Sequence, residues 1–167
     1  MRDNDELERF VRAHDRGGVA HGSTYDVAIS ELRAGHKETH WIWYVFPQAI
    51  PGQRTNAQTY QIRSRDEAAA YVAHDVLWAR YIECLEALTD AMRRSEEKGK
   101  SDPLIHVMGS EIDRIKTLSS LTLFWLLLRD DNSERSRRFR ELVTPQDGLL
   151  WGQYPLCPRT LSLDWWS

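Results

Sequence analysis

The stretch that decides the fold of this chain is His40-Trp41-Ile42-Trp43-Tyr44-Val45-Phe46, which is followed by Pro47. Aromatic and β-branched residues at this density are typical of a buried β-strand. No other segment of the sequence has a convincing strand pattern, and a single strand would leave its backbone N–H and C=O groups without partners. We therefore interpret residues 40–46 as a short buried helix or turn, with a strand as the alternative.

The segments on both sides of residues 40–46 have the periodicity of helices. Ser23 and Asp26 indicate the start of one helix, and Gly35 indicates its end, because glycine readily adopts the left-handed conformation found after a helix. Ser110 predicts the cap of a short helix, and Leu121–Leu128, which is apolar on all sides, predicts a separate central core helix. Further helices are predicted over residues 4–14, after a capping box at Ser64–Glu67, from Asp75 to about Lys98, and over Arg135–Val143.

Nearly every predicted element is a helix, so we expect an all-α fold. A chain of 167 residues fits one domain. We predict a compact single domain over residues 1–167, a bundle of about six to eight helices around the buried aromatic segment. The segment from about residue 145 to 167 is rich in proline and tryptophan, and we expect it to be irregular.

Composition and charge exclude several classes of protein. The chain has 22 Lys and Arg against 25 Asp and Glu, a net charge of −3, which disfavours a nucleic-acid binder or a protein that lies on anionic membranes. The longest apolar stretch, Leu121–Leu128, is too short to span a bilayer. Two cysteines cannot form a disulfide framework, and the first ten residues lack the apolar core of a secretory signal. These features predict a cytoplasmic protein.

Motifs that bind common cofactors are absent from the sequence, so we predict none. It has no phosphate-binding Walker loop, no dinucleotide fingerprint and no EF-hand loop. His36 and His40 are four residues apart, but the intervening residues do not match His-Glu-x-x-His, and Gly35 makes a helix there doubtful. We therefore predict no metal site. Arg135–Arg140 is a basic cluster, which we interpret as a solvated helix face.

Two groups of residues are candidates for a binding site. Trp41 and Trp43 offer flat faces for a planar ligand, and His40 and Gln48 flank them with polar groups. The alternative is that these rings are core packing. Lys116, Ser119 and Ser120 lie just before the apolar stretch 121–128, and a helix that starts there would present N–H groups to an anion. The alternative is ordinary capping by one of the serines.

Read together, these fragments resemble one protein family, the domain of unknown function 1810, some of whose members carry the label calpastatin. The resemblance rests on Leu7-x-Arg9-Phe10-Val11, His40-Trp41-x-Trp43-Tyr44-Val45-Phe46-Pro47-Gln48, Met108-Gly109-Ser110, Ser119-Ser120-x-Thr122-Leu123-Phe124 and Pro158-Arg159-Thr160-Leu161. It implies a small all-helical domain and places the aromatic segment in a helical fold. Relative to the family pattern, His14 stands where glutamine is usual.

The resemblance also implies that the two groups of candidate residues share one location. We therefore predict a small-molecule-binding protein or enzyme whose cleft, walled by Trp41 and Trp43, holds a planar anionic, nucleotide-like ligand. In this hypothesis Lys116, Ser119 and Ser120 bind the anionic group and Gln48 orients the ligand. His40, whose ordinary pKa is near neutrality, is the candidate acid–base catalyst. The alternative is a non-catalytic interaction module that uses exposed C-terminal tryptophans, Trp151, Trp165 and Trp166.

Overall fold

The computed structural model describes residues 2–50 and 58–166. Within them the chain forms nine α-helices and no β-strand, which confirms the all-α prediction. The helices are α1 (Arg2–Arg16), α2 (Tyr25–Ala34), α3 (Ile42–Val45), α4 (Arg65–Ala73), α5 (Asp75–Glu97), α6 (Pro103–Met108), α7 (Glu111–Leu128), α8 (Glu134–Val143) and α9 (Pro158–Leu161), and a 3-10 turn follows at Asp164–Trp166.

Local sequence signals set the ends of α2 and α4. Thr24, next to the predicted Ser23, is the N-cap of α2, and its side chain accepts a hydrogen bond from the backbone N–H of Val27. Gly35 ends that helix with a φ of 93°, a left-handed conformation that glycine adopts without steric cost. Ser64 caps α4 by accepting a hydrogen bond from the N–H of Glu67 at 3.0 Å.

The aromatic segment forms the single helical turn α3, as its lack of a partner strand predicted. The N–H of Val45 donates to the carbonyl of Trp41, and the N–H of Phe46 donates to the carbonyl of Ile42. The carbonyl of Tyr44 accepts a hydrogen bond from Nε2 of His14 on α1 at 2.6 Å. Backbone groups of this turn therefore find partners within the turn and on a buried side chain.

The centre of the core is aromatic and lies where α5 and α7 pack against their neighbours. The rings of Trp78 and Tyr81 on α5 stack with centroids 5.0 Å apart, and Tyr81 meets Phe124 of α7 edge to face at 4.9 Å. Phe46, just after α3, packs edge to face on Tyr81 at 5.5 Å. The buried residues join into one hydrophobic cluster that extends from Leu7 of α1 to Tyr154 near the C-terminus.

The prediction of two separate elements at residues 110–128 is wrong. Ser110 caps a single 18-residue helix, α7, which contains no glycine or proline and runs to Leu128. Two threonine hydroxyls within this stretch bond to the backbone of the helix itself. Thr117 donates to the carbonyl of Asp113, and Thr122 donates to the carbonyl of Leu118, each at 2.7 Å.

The C-terminal segment folds back on the bundle. From residue 145 it contains turns and two isolated β-bridges before α9. Trp151, Trp165 and Trp166 are half-buried and pack against the hydrophobic core, which differs from the exposed positions expected of them. The indole N–H of Trp166 donates to the carbonyl of Thr160 at 3.0 Å. Within the described part of the chain, no helix combines the length and apolar character needed to cross a membrane.

Candidate functional site

A cavity of about 220 Å³ lies between α3, α7, α9 and the loop that follows α3. It brings together segments that are far apart in the sequence. The described residues that line it are Trp43, Gln48, Ile50, Tyr60, Ile112, Ile115, Lys116, Ser119, Cys157 and Arg159. Four of the predicted ligand-binding residues, Trp43, Gln48, Lys116 and Ser119, are therefore in one place. The lining combines apolar and aromatic walls with a few polar groups, as ligand sites usually do.

Trp43 and Lys116 join the two groups of candidate residues. The ammonium nitrogen of Lys116 lies 4.8 Å from the centroid of the Trp43 indole ring. The negative face of an indole attracts a cation at this distance. The interaction holds the Lys116 side chain, which extends from the second turn of α7, at the wall formed by α3.

The charge of the cavity lining is opposite to that of the whole chain. Among the described residues that line it, Lys116 and Arg159 are charged, and none is Asp or Glu. The chain as a whole has a net charge of −3. An anion in the cavity would therefore meet two cationic side chains, and none of the lining residues that the structure describes carries a negative charge to repel it.

Contacts to hydroxyl groups of α7 hold the Arg159 side of the cavity in position. The hydroxyls of Ser119 on α7 and Thr160 on α9 are 3.2 Å apart, and both side chains are buried. The N–H of Cys157 donates to the hydroxyl of Thr122 at 2.9 Å. These contacts attach α9 to α7 and so place Cys157 and Arg159 at the cavity.

The side of the cavity that contains Tyr60 is held in position by a buried ion pair. Arg9 of α1 donates to the carbonyls of Thr59 and Gln61 and pairs with Glu67 at 2.7 Å. Burial alone would raise the pKa of Glu67, but its hydrogen bond and charge interaction with Arg9 outweigh burial and hold that pKa below its ordinary value. Tyr60, itself 5% exposed, is therefore anchored from both neighbouring residues.

Trp41 does not form a wall of the cavity, which corrects the predicted pair of tryptophan walls. Its side chain is fully buried, and its indole N–H donates to Oε1 of Glu31 at 2.9 Å. The same carboxylate accepts hydrogen bonds from the N–H of Glu38 and from the N–H and hydroxyl of Thr39. Burial would raise the pKa of Glu31, but these donors outweigh it and lower that pKa. Trp41 therefore stabilises the turn that precedes α3.

The ammonium group of Lys37 lies over the ring of Trp41. Its nitrogen lies 5.1 Å from the Trp41 ring centroid and pairs with Asp113 of α7 at 2.9 Å. The Lys37 side chain is 6% exposed, so this ion pair is largely removed from water. It ties the loop before α3 to the first turn of α7 and closes Trp41 into the interior.

His40 is exposed and is not among the residues that line the cavity. Its ring lies beside Trp43, with centroids 6.4 Å apart and planes inclined by 30°. Its backbone carbonyl accepts a hydrogen bond from the N–H of Ser23 at 2.8 Å. His40 thus borders the cavity wall from outside, and its catalytic role stays a prediction.

The predicted helix start at Ser119 and Ser120 does not exist, because both residues lie in the middle of α7. Their backbone N–H groups are within the helix and present no anion site. Ser120 is fully buried, and its hydroxyl lies 3.0 Å from the hydroxyl of Tyr81 in the core. Ser119 reaches the cavity lining while it holds Thr160, and Ser120 does not line the cavity.

Sequence reasoning did not select six of the lining residues: Ile50, Tyr60, Ile112, Ile115, Cys157 and Arg159. One signal was available for α7, since Ile112, Ile115, Lys116 and Ser119 follow the i, i+3, i+4, i+7 spacing of one helix face. Arg159 lies in the segment Pro158–Leu161, which carried part of the family resemblance. Within the described residues, His, Cys, Asp and Glu side chains form no group of three that could hold a metal ion.

Comparison with known proteins gives a family and a fold. The model of the family described as "Protein of unknown function (DUF1810)" matches residues 4–143. The structure is similar to the crystal structure of the conserved hypothetical protein Rv1873 from Mycobacterium tuberculosis, with a TM-score of 0.68 and 30% sequence identity over 94% of each chain. A comparison with curated proteins finds no match.

Proposed function

Since this chain belongs to the DUF1810 family of proteins of unknown function, we propose a function from the geometry of its own cavity: the protein binds a small planar anion there. The observation that supports this proposal is the pairing of two cations, Lys116 and Arg159, with apolar and aromatic walls and no described carboxylate. The cations match the negative charge of a planar anion, and the apolar and aromatic walls match its flat ring. A nucleotide-like compound has both a flat ring and a negative charge.

In the proposed complex the anionic group lies between Lys116 and Arg159, and the flat part of the ligand contacts Trp43. The ammonium of Lys116 already lies over the indole, so a flat ligand that contacts Trp43 has the cation beside it. Gln48 supplies a polar group of the lining that orients the ligand.

A thermal-shift screen of benzoate, indole-3-carboxylate and adenosine monophosphate tests the proposal, with benzamide as a neutral control. At ten times the dissociation constant, a ligand adds about 1.4 kcal/mol to the free energy of unfolding and raises the melting temperature by roughly 3–6 °C. Lys116→Ala should remove the shift. Lys100→Ala, which changes an exposed lysine outside the cavity, should keep it.

Two results would count against the proposal. In one, no anion shifts the wild type more than Lys116→Ala. In the other, benzamide shifts the wild type as much as benzoate does, because a cationic site must prefer the charged compound.

The alternative function, an interaction module that uses C-terminal tryptophans, has less support. Trp165 and Trp166 are half-buried, the indole N–H of Trp166 is bonded within the chain, and Arg65 lies 5.7 Å from the Trp166 ring centroid. Nucleic-acid binding through α8 also has little support, because Arg135 pairs with Asp75 and Arg138 pairs with Glu86 at 2.8 Å.

A further inference from the structure

The apolar face of α7 continues beyond the part that the fold covers. Ile112, Ile115, Lys116 and Ser119 share one face of the helix, and their exposure falls along it. Ile112 is 65% exposed and Ile115 is 50% exposed, whereas Ser119 is 3% exposed. These two isoleucines are the most exposed large apolar residues that the structure describes, and both line the mouth of the cavity.

Exposed isoleucines at this position need an explanation, because isolated apolar side chains on a surface are common but two on one helix face beside a cavity are not isolated. The opposite side of the same helical turns is polar and engaged: Asp113 pairs with Lys37, and Arg114 lies 3.8 Å from Asp102. The first turns of α7 are therefore held in place by that polar side, and the isoleucines are not required to attach the helix to the core.

We infer that the ligand is an amphipathic anion, with an apolar chain that leaves the cavity over Ile115 and Ile112. This inference rests on the proposed function and adds to it the chemical class of the ligand. Lys116 follows Ile112 by one turn and Ile115 by one residue, so an anionic group at Lys116 has the two isoleucines directly beside it. A small planar anion would fill the cavity and leave Ile112 in water, whereas an alkyl or acyl extension covers it.

A series of 4-alkylbenzoates separates the two proposals. Benzoate, 4-ethylbenzoate and 4-butylbenzoate carry the same planar anion and differ only in their apolar chain. Their dissociation constants are measured by isothermal titration calorimetry on the full chain. We expect each added methylene to tighten binding about two- to fourfold, as expected for a methylene that leaves water on binding.

Two variants of the protein test where the alkyl chain of the ligand lies. Ile112→Ser should weaken 4-butylbenzoate binding about fivefold or more, and clearly more than it weakens benzoate binding. The 65% exposure of Ile112 means that the fold tolerates this change. Val76→Ser is the matched control, because Val76 is 45% exposed on α5 and does not line the cavity. It should change neither affinity.

The outcomes distinguish the two proposals. If benzoate binds in a Lys116-dependent way but the alkyl chain adds no affinity, the amphipathic ligand is refuted and the anion site stands. If the alkyl chain adds as much affinity in Ile112→Ser as in the wild type, it does not contact Ile112 and the inference is again refuted. If no member of the series binds the wild type, the proposed function fails and this inference fails with it.

Discussion

Replacing His14 with glutamine removes a buried imidazole from the junction of α1, α3 and α5 and changes how stability depends on pH. Nε2 of His14 donates to the carbonyl of Tyr44 at 2.6 Å, and Nδ1 accepts a hydrogen bond from Arg80 at 3.3 Å. The contact with Arg80 requires the neutral ring, because a protonated Nδ1 cannot accept a hydrogen bond. A glutamine amide can still donate to the Tyr44 carbonyl, but it does not titrate.

The size of the effect follows from the pKa of His14. Burial, helped by the charge of Arg80, lowers this pKa from 6.5 to about 4, although the hydrogen bond to Tyr44 and the charge of Asp15 oppose the change. The unfolded chain therefore binds a proton near pH 6.5, and the folded chain binds it only near pH 4. Stability is complete above pH 6.5 and falls as the pH drops through this window, by about 3 kcal/mol in total.

Urea unfolding followed by tryptophan fluorescence, at several values between about pH 7.5 and pH 4, measures this dependence. The wild type should lose about 3 kcal/mol more free energy of unfolding than His14→Gln over that range. Carboxylates that titrate at the acid end affect both proteins equally, so the difference isolates His14. Parallel curves for the two proteins would show that His14 is not held neutral, and would refute the reasoning.

Two further substitutions test packing and hydrogen bonding through the same unfolding measurement. A Cβ atom at Gly18 would lie 2.2 Å from Cε1 of Tyr44, so Gly18→Ala should lower the free energy of unfolding by roughly 2–3 kcal/mol. Gly99 has open space around it but a φ of 80°, so the control Gly99→Ala should lower it by only about 1 kcal/mol. Equal losses of stability in the two variants would contradict the steric account. Glu31→Gln weakens four hydrogen bonds at one carboxylate and should lower the free energy of unfolding by about 2 kcal/mol. The control Glu38→Gln changes an exposed side chain and should have almost no effect on stability. An unchanged stability of Glu31→Gln would contradict the role assigned to that carboxylate.

Much of the fold could be predicted from the sequence because its signals are local. Gly35 and Ser64 mark helix ends through chemistry that involves only the next few residues. The helical conformation of residues 42–45 follows from the composition of the whole sequence, because no other segment could pair with a strand there. These predictions needed no knowledge of which segments touch.

The errors arose where tertiary contacts decide between two local possibilities. Ser119 and Ser120 have the side chains of helix caps, but Thr160 and Tyr81 provide partners that satisfy them in the middle of a helix. These partners are about forty residues away in the sequence.

The same reason explains why the candidate site was predicted only in part. Trp41 and Trp43 look equivalent in the sequence, but Glu31 accepts the indole N–H of Trp41 and holds it inside, while Trp43 faces the cavity. Arg159 contributes the second cation from a segment more than forty residues beyond Lys116. A cavity built from distant segments becomes visible only once the helices are packed.

A crystal structure of the protein with 4-iodobenzoate tests the central claim most directly, because the anomalous signal of iodine locates the ligand without ambiguity. The account predicts an iodine peak between Trp43 and Ile115, with the carboxylate about 3 Å from the ammonium of Lys116 or the guanidinium of Arg159. An iodine peak at another place on the surface, with the cavity holding only solvent, would contradict it.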